Sequence, residues 1–188
     1  VIDAVNSTGG IYIPALLEQM GVEVVELYCE PNGKFPHNPE PLPEHLHDLC
    51  SLVKVTNSDV GFVVDPDVDR LAIVSEDGTL FGEEYTLVAV ADHVLKTQKG
   101  DTVSNLSSTR ALRDVTEKYG GTYTASAVGE VNVVNAMKAS NAIIGGEGNG
   151  GIIYPESHYG RDALVGVALF LSLLAERKIA VSTLRLSY

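Results

Sequence analysis

The segment Gly61–Ser75 has the sequence GFVVDPDVDRLAIVS, in which two apolar runs flank a short polar stretch. Because β-branched and aromatic residues predominate in both runs, the pattern predicts two buried strands joined by a loop. We call the residues Asp65–Arg70 the acidic loop.

Three carboxylates occupy alternate positions of the acidic loop, at Asp65, Asp67 and Asp69. Two unit charges about 4 Å apart repel by roughly 4 kcal/mol at an effective dielectric constant of about 20, so three converging carboxylates require a cation. Ligand sets made only of oxygen favour Mg²⁺, Ca²⁺ or Mn²⁺ over softer metals. Arg70 adds a planar guanidinium that suits a phosphate lying beside such a metal.

Two other interpretations of the acidic loop were weighed. Its three aspartates and Glu76 match loop positions one, three, five and twelve of an EF-hand. However, Arg70 stands where the sharp turn of an EF-hand needs glycine, and strands rather than helices flank the loop. A solvated acidic turn is the second alternative, but a triple alternation ending in arginine between buried strands favours a metal site.

A second motif, Gly146–Gly151, has the sequence GEGNGG and lies between two short apolar runs. We call it the glycine loop and expect it to face solvent. Glycines such as Gly146 and Gly148 let the backbone approach a ligand closely, while Glu147 and Asn149 can point to one side and bind adjacent hydroxyls. This chemistry suits a sugar. A hairpin loop that needs glycine only for positive φ is the alternative, but it leaves Glu147 and Asn149 unexplained.

Composition limits the function classes. The net charge of −12 argues against nucleic acid or an anionic membrane as a partner, because both need a basic surface. The apolar stretch 163–175 is too short and too amphipathic to span a bilayer. Cys29 and Cys50 are isolated, which indicates a reduced compartment and predicts a cytoplasmic location.

Strand and helix patterns alternate along the chain and restart after the polar segment 98–101. The first unit begins with a predicted strand at Val1–Val5, a helix at Ile11–Met20 and a strand at Val22–Tyr28. We therefore predict an α/β fold of two similar three-layer α/β/α domains with mixed sheets, covering residues 1–97 and 98–188. Arg161 precedes the last predicted helix, where charge pairing at the helix entry is favoured over a phosphate contact.

Together the two motifs resemble the metal-binding and sugar-binding loops of the α-D-phosphohexomutases, the family of phosphoglucomutase, phosphomannomutase and phosphoglucosamine mutase. Both occur in the family's order and at about its spacing, and the resemblance covers essentially the whole chain. It implies a Mg²⁺ ion on the three aspartates, a phosphate steered by Arg70, and hexose hydroxyls bound by Glu147 and Asn149. Family positions also make Arg110 and Glu130 further substrate-binding candidates, beside Arg161.

The resemblance is to domains two and three of the family, so the chain is expected to be a piece of a longer protein. In the family, the first domain supplies a phosphoserine and the fourth a phosphate-binding loop, and neither has a counterpart here. His37-Asn38-Pro39 resembles the end of the phosphoserine loop, but Pro36 stands where that loop needs serine. The resemblance therefore implies a phosphoryl transfer between the C1 and C6 oxygens of a hexose phosphate that the isolated chain cannot perform.

The sequence leaves alternatives for the identity of the sugar and for the class of reaction. A common family form ends the glycine loop in Ser-Gly-His, whereas Asn149-Gly150-Gly151 stands here, so the identity of the hexose is open. A haloacid-dehalogenase-like phosphatase would need an Asp-x-Asp-x-Thr motif after the first strand, and residues 3–7, DAVNS, do not supply it. A non-catalytic metal- or sugar-binding fragment is the third alternative.

Overall fold

The computed structural model describes all 188 residues and contains two four-stranded sheets. The strands of the first sheet are β1 (Ile2–Asp3), β2 (Glu26–Leu27), β3 (Val60–Val64) and β4 (Leu71–Ser75). Those of the second are β5 (Thr102–Asn105), β6 (Tyr123–Ser126), β7 (Ile144–Glu147) and β8 (Gly151–Ile153).

Both sheets have the same topology. Their orders are β2-β1-β3-β4 and β6-β5-β7-β8, and in each sheet the first strand along the chain pairs in parallel with both of its neighbours. The last strand runs antiparallel to the third, as β3 with β4 and β7 with β8. The predicted pair of similar α/β units with mixed sheets is confirmed.

Seven α-helices pack around the sheets. They are α1 (Gly9–Gln19), α2 (His47–Thr56), α3 (Glu83–Thr97), α4 (Ala111–Lys118), α5 (Glu130–Ser140), α6 (Ala163–Arg177) and α7 (Val181–Arg185). The longest, α3 and α6, have 15 residues each, and no helix has both the length and the apolar character needed to cross a membrane.

The first two predicted strands are wrong in length. Val1–Val5 was expected to be extended throughout, but β1 ends at Asp3, since Val5 and Asn6 have φ values of 48° and 54°. A left-handed backbone cannot continue a strand. Likewise, only Glu26–Leu27 of the expected strand Val22–Tyr28 pairs in the sheet, and Tyr28 leaves it with φ 51°.

Helices α3 and α6 join the two halves through a shared core. α3 contacts β4 of the first sheet and β7 of the second, and α6 contacts β4 and β8. Phe170 on α6 packs edge-to-face on Phe62 and Phe81 of the first half, with ring centroids 6.1 and 5.3 Å apart. The predicted domain boundary at 97/98 therefore falls at the end of a helix that packs against both sheets.

A buried carboxylate, Asp92 on α3, adds a polar contact to this core. Its Oδ1 accepts hydrogen bonds from Lys118 Nζ (3.1 Å) and the Tyr119 hydroxyl (2.9 Å), and its Oδ2 accepts from Arg177 (2.6 Å) and the Tyr188 hydroxyl (3.2 Å). Burial alone would raise the pKa of Asp92, but the hydrogen bonds from Lys118 and Tyr119 and the nearby positive charges outweigh it and hold the pKa below its usual value. The ionised carboxylate thus holds α3, α4, α6 and the last residue of the chain together.

Replacing Asp92 with asparagine is expected to lower the free energy of unfolding by about 2–3 kcal/mol. The amide NH₂ cannot accept hydrogen bonds, so either Lys118 and Tyr119 or Arg177 and Tyr188 lose their acceptor. Since the folded-state pKa of Asp92 is lowered, its stabilising effect is present at neutral pH and is lost as the pH falls through that pKa. Urea denaturation at neutral and at acidic pH should therefore show a gap between wild type and Asp92→Asn that narrows in acid. An equal gap at every pH would contradict the ionised assignment.

Candidate functional site

The acidic loop brings its three aspartates together. Asp65 directly follows β3 and is buried, Asp69 is half-buried and Asp67 is exposed. One carboxylate oxygen of each lies within 4.8 Å of the others. Adjacent ligands of a magnesium ion lie about 3.0 Å apart and opposite ones about 4.2 Å apart, so these oxygens would have to move closer together to share an ion. The loop is a possible metal site by its all-oxygen donor set and by its geometry.

Backbone contacts fix the conformation of the acidic loop. Asp65 Oδ1 accepts hydrogen bonds from the N–H groups of Asp69 and Arg70, both at 3.0 Å, which closes the loop. Val68 has φ 62°, a conformation that a β-branched residue rarely adopts. Its carbonyl accepts a hydrogen bond of 3.0 Å from the N–H of Ala163, the first residue of α6. The strained backbone is therefore supported by an element of the second half.

The electrostatics of the loop favour a cation. Burial, together with smaller effects of the neighbouring Asp69 and Asp67, raises the pKa of Asp65 to about 7, although the hydrogen bond from the Arg70 N–H lowers it. A carboxylate with this pKa is only partly ionised near neutral pH. A bound cation would oppose the shift, because it stabilises the charged form of all three groups.

Arg70 lies beside the carboxylates without being fixed by hydrogen bonds. Its Nε is 3.6 Å from Asp65 Oδ2 and 3.8 Å from Asp69 Oδ1, and its Nη1 is 3.5 Å from Glu40 Oε1. The buried Nε has no hydrogen-bond partner. The guanidinium is therefore free to accept an anionic group as a partner.

In the glycine loop, Glu147 occupies a different environment from the expected one. It is the last residue of β7 and only 5% exposed, so the expectation of a solvent-facing position is wrong. Its Oε1 accepts hydrogen bonds from Asn105 Nδ2 (2.7 Å) and the Gly129 N–H (3.2 Å), and its Oε2 accepts one from Arg161 Nη1 (3.0 Å). Groups from three other parts of the chain therefore surround this carboxylate.

The rest of the glycine loop packs closely on the protein itself. The Asn149 side-chain oxygen accepts a hydrogen bond of 3.2 Å from the Gly151 N–H. A Cβ atom on Gly146 would lie 2.0 Å from the Gly151 oxygen, and one on Gly148 would lie 3.1 Å from Ser108 Cα. Glycine at 146 is therefore required by backbone packing, whatever the loop binds.

The acidic loop and the glycine loop touch each other. The N–H of Leu71, next to Arg70, donates a hydrogen bond of 3.2 Å to the Gly150 oxygen. Gly150 has φ 83°, and a Cβ atom there would lie 2.2 Å from the Leu71 oxygen. Two motifs that are far apart in the sequence thus form one site.

Arg161 connects the two loops through its side chain. Its Nη2 bonds Asp69 Oδ2 and its Nη1 bonds Glu147 Oε2, while its Nε lies 3.4 Å from Glu130 Oε2. Arg161 thus pairs with carboxylates at the entry of α6, and all three partners come from other parts of the chain. Asp162 caps that helix, since its side chain accepts a hydrogen bond from the Val165 N–H.

Asn105 is the residue at this site that the sequence analysis missed. It ends β5, is 3% exposed, donates to Glu147 and accepts hydrogen bonds from the hydroxyls of Ser107 and Ser108. The only sequence signal was a polar residue at the end of an otherwise buried strand. Arg110, an expected substrate candidate, is exposed and precedes α4, outside this hydrogen-bond network.

The fold and the site define a class of α/β protein in which two repeated domains hold an acidic loop against a glycine loop. Two family models match the chain: "Phosphoglucomutase/phosphomannomutase, alpha/beta/alpha domain II" at residues 1–78, and the corresponding domain III at residues 82–187. The chain belongs to the phosphoglucomutase/phosphomannomutase family and comprises its domains II and III. The two models divide the chain before α3.

Individual relatives agree with this membership. The chain is 34% identical over 186 residues to a Methanopyrus kandleri protein named "Probable phosphoglucosamine mutase", covering 98% of the chain and 41% of that protein. It is 33% identical over 180 residues to the Pseudomonas aeruginosa phosphomannomutase/phosphoglucomutase, covering 94% of the chain and 39% of that protein. A family protein of Burkholderia thailandensis superposes with a TM-score of 0.91 at 31% identity, over 99% of this chain and 41% of that one.

The chain therefore spans about 40% of the length of these relatives. The family membership replaces the alternative of a haloacid-dehalogenase-like phosphatase.

Proposed function

We propose that the chain is the metal- and sugar-binding part of a phosphohexomutase. In the proposed reaction, a phosphoryl group moves between the C1 and C6 oxygens of a hexose phosphate through a phosphoserine. That serine and a phosphate-binding loop would come from domains I and IV of the longer enzyme. The chain spans about 40% of the length of relatives named phosphoglucosamine mutase and phosphomannomutase/phosphoglucomutase, which supports this division of labour.

One observation carries the proposal: Asp69 of the acidic loop and Glu147 of the glycine loop bind the same arginine, Arg161. A mutase must hold a sugar hydroxyl and the transferring phosphoryl group in one site. The candidate metal ligand Asp69 and the candidate hydroxyl acceptor Glu147 are therefore separated only by the guanidinium that both of them bind. Arg70, with its unpartnered Nε, would orient the phosphate beside them.

The residues fit a Mg²⁺ ion. Asp65, Asp67 and Asp69 offer three charged oxygens, and a phosphate oxygen and water would complete the six ligands that magnesium prefers. When bound, the ion would neutralise charge that develops on the transferring phosphoryl group. Glu147 and Asn149 would orient the hexose through its hydroxyls, with Gly146 and Gly148 shaping the backbone around them. Glu130 and Arg110 remain further candidates for substrate contact.

The metal site is tested by changing Asp67, because this aspartate is exposed and its loss should not disturb the fold. Calorimetric titration of Mg²⁺ into the chain should show weak binding. Asp67→Asn should weaken it by roughly tenfold or more, since one ligand charge is lost from a set of three. Inorganic phosphate, by supplying an oxygen to the open coordination shell, should strengthen binding in wild type.

The matched control is Asp114→Asn, which removes one exposed carboxylate from α4, away from the loop. It should leave the isotherm unchanged. Identical isotherms for wild type and Asp67→Asn would eliminate the metal site. Measurable interconversion of glucose 1-phosphate and glucose 6-phosphate by the chain alone would contradict the assignment of the phosphoserine to another domain.

A further inference from the structure

Arg161 is the only residue that pairs with carboxylates of both loops. Its three partners come from three separate parts of the chain: Asp69 from the acidic loop, Glu147 from the end of β7 and Glu130 from the start of α5. Its backbone N–H also donates a hydrogen bond of 3.0 Å to Glu130 Oε1. The side chain is only 14% exposed, so water has little access to replace any of these partners.

The charges around Arg161 do not balance. Five carboxylates converge on the site, at Asp65, Asp67, Asp69, Glu130 and Glu147, and they face two guanidinium groups, Arg70 and Arg161. Carboxylates therefore outnumber the guanidinium groups even when Asp65 is protonated, and Glu40 beside Arg70 adds one more. Asp69 and Glu147 therefore share one cation, the Arg161 guanidinium. A group that neutralises Asp69 leaves this guanidinium more strongly attracted to Glu147 and Glu130.

We propose that Arg161 is a positioning residue that couples the acidic loop to the glycine loop. When a divalent ion takes up the charge of Asp69, the Arg161–Asp69 pair weakens and the guanidinium moves toward Glu147 and Glu130. This inference rests on the proposed function, because it needs a divalent ion in the acidic loop. If the ion changes the affinity for a ligand of Glu147 by some factor, thermodynamic linkage requires that this ligand change the affinity for the ion by the same factor.

The hydrogen bonds supply separate reporters for the two loops. The N–H groups of Asp69 and Arg70 donate to Asp65 and report on the acidic loop. The N–H of Gly129 donates to Glu147 Oε1 and reports on the carboxylate that Arg161 holds by its other oxygen. Coupling through Arg161 therefore predicts a response at Gly129 when the acidic loop binds a metal.

The test is a titration of the ¹⁵N-labelled chain with Mg²⁺, followed by backbone amide chemical shifts. In wild type, the amides of Asp69, Arg70 and Gly129 should shift with one common saturation curve. In Arg161→Gln, the first two should still shift, while the response of Gly129 should shrink by at least fourfold. Arg161→Lys keeps the charge but has no second arm, so an intermediate response is expected.

The matched control is Arg113→Gln, which removes an arginine of α4 paired only with Asp114 and Glu117. It should respond like wild type. Thermal melting of each variant identifies a folding defect, and if Arg161→Gln does not fold, Arg161→Lys decides the question. Absence of any shift at Asp69 and Arg70 in wild type would refute the metal site itself. A silent Gly129 in wild type, or a full Gly129 response in the folded Arg161 variants, would overturn the coupling.

Discussion

Replacing Gly150 with alanine is expected to separate the acidic loop from the glycine loop. The new methyl group would lie 2.2 Å from the Leu71 oxygen, and the backbone at φ 83° disfavours any side chain by about 1 kcal/mol. Relief of the clash requires β4 and the glycine loop to move apart, which also breaks the Leu71–Gly150 hydrogen bond. We expect the free energy of unfolding to fall by about 3 kcal/mol and the melting temperature by roughly 10 °C.

The control for this variant is Gly120→Ala. Gly120 has φ 78°, close to that of Gly150, but nothing lies within 4 Å of the position of its Cβ atom. The backbone penalty is thus shared by the two variants and the clash is not. Equal melting temperatures for the two variants would show that the contact with Leu71 does not hold the loops together. A lower melting temperature and a lower Mg²⁺ affinity in Gly150→Ala than in Gly120→Ala would show that it does.

Replacing Glu147 with glutamine is expected to impair both stability and ligand binding. A sequence argument that places Glu147 on a solvent-facing loop predicts a loss of turnover with little loss of stability. The structure changes this expectation, because Glu147 is buried and its Oε2 accepts a hydrogen bond from Arg161. An amide NH₂ cannot accept a hydrogen bond, so either the Arg161 guanidinium or the Asn105 and Gly129 donors would lose a buried acceptor, which destabilises by about 3 kcal/mol. Chemical denaturation measures this loss.

The matched control for Glu147→Gln is Glu117→Gln, which removes one carboxylate partner of Arg113 on the surface of α4. Its effect on unfolding should stay within about 0.5 kcal/mol, as is usual for surface pairs. In the longer enzyme, Glu147→Gln should also reduce hexose phosphate turnover beyond what its stability explains. Full turnover at a temperature where the variant is folded would remove Glu147 from the sugar site.

The predictable features were those that depend on local pattern. The alternation of strand and helix patterns along the chain, and its restart after residues 98–101, were sufficient to predict two α/β units with mixed sheets. The lengths of β1 and β2 were mispredicted because their ends are set by left-handed residues at Val5, Asn6 and Tyr28. None of these three is glycine, and sequence pattern gives no warning of a strained non-glycine residue.

Sequence alone determined which residue types are available for the proposed chemistry: three alternating aspartates suited to a cation, and a glycine loop whose polar side chains suit hydroxyl groups. Only the tertiary structure decided how they act together. Helix α6 extends from the second half onto the first sheet, and this packing brings Arg161 to Asp69, which is 92 residues away in the chain. It also buries Glu147 beside Asn105. Such partners are chosen by long-range packing of the core, and a buried ion pair leaves no periodic trace in the sequence from which its other member could be identified.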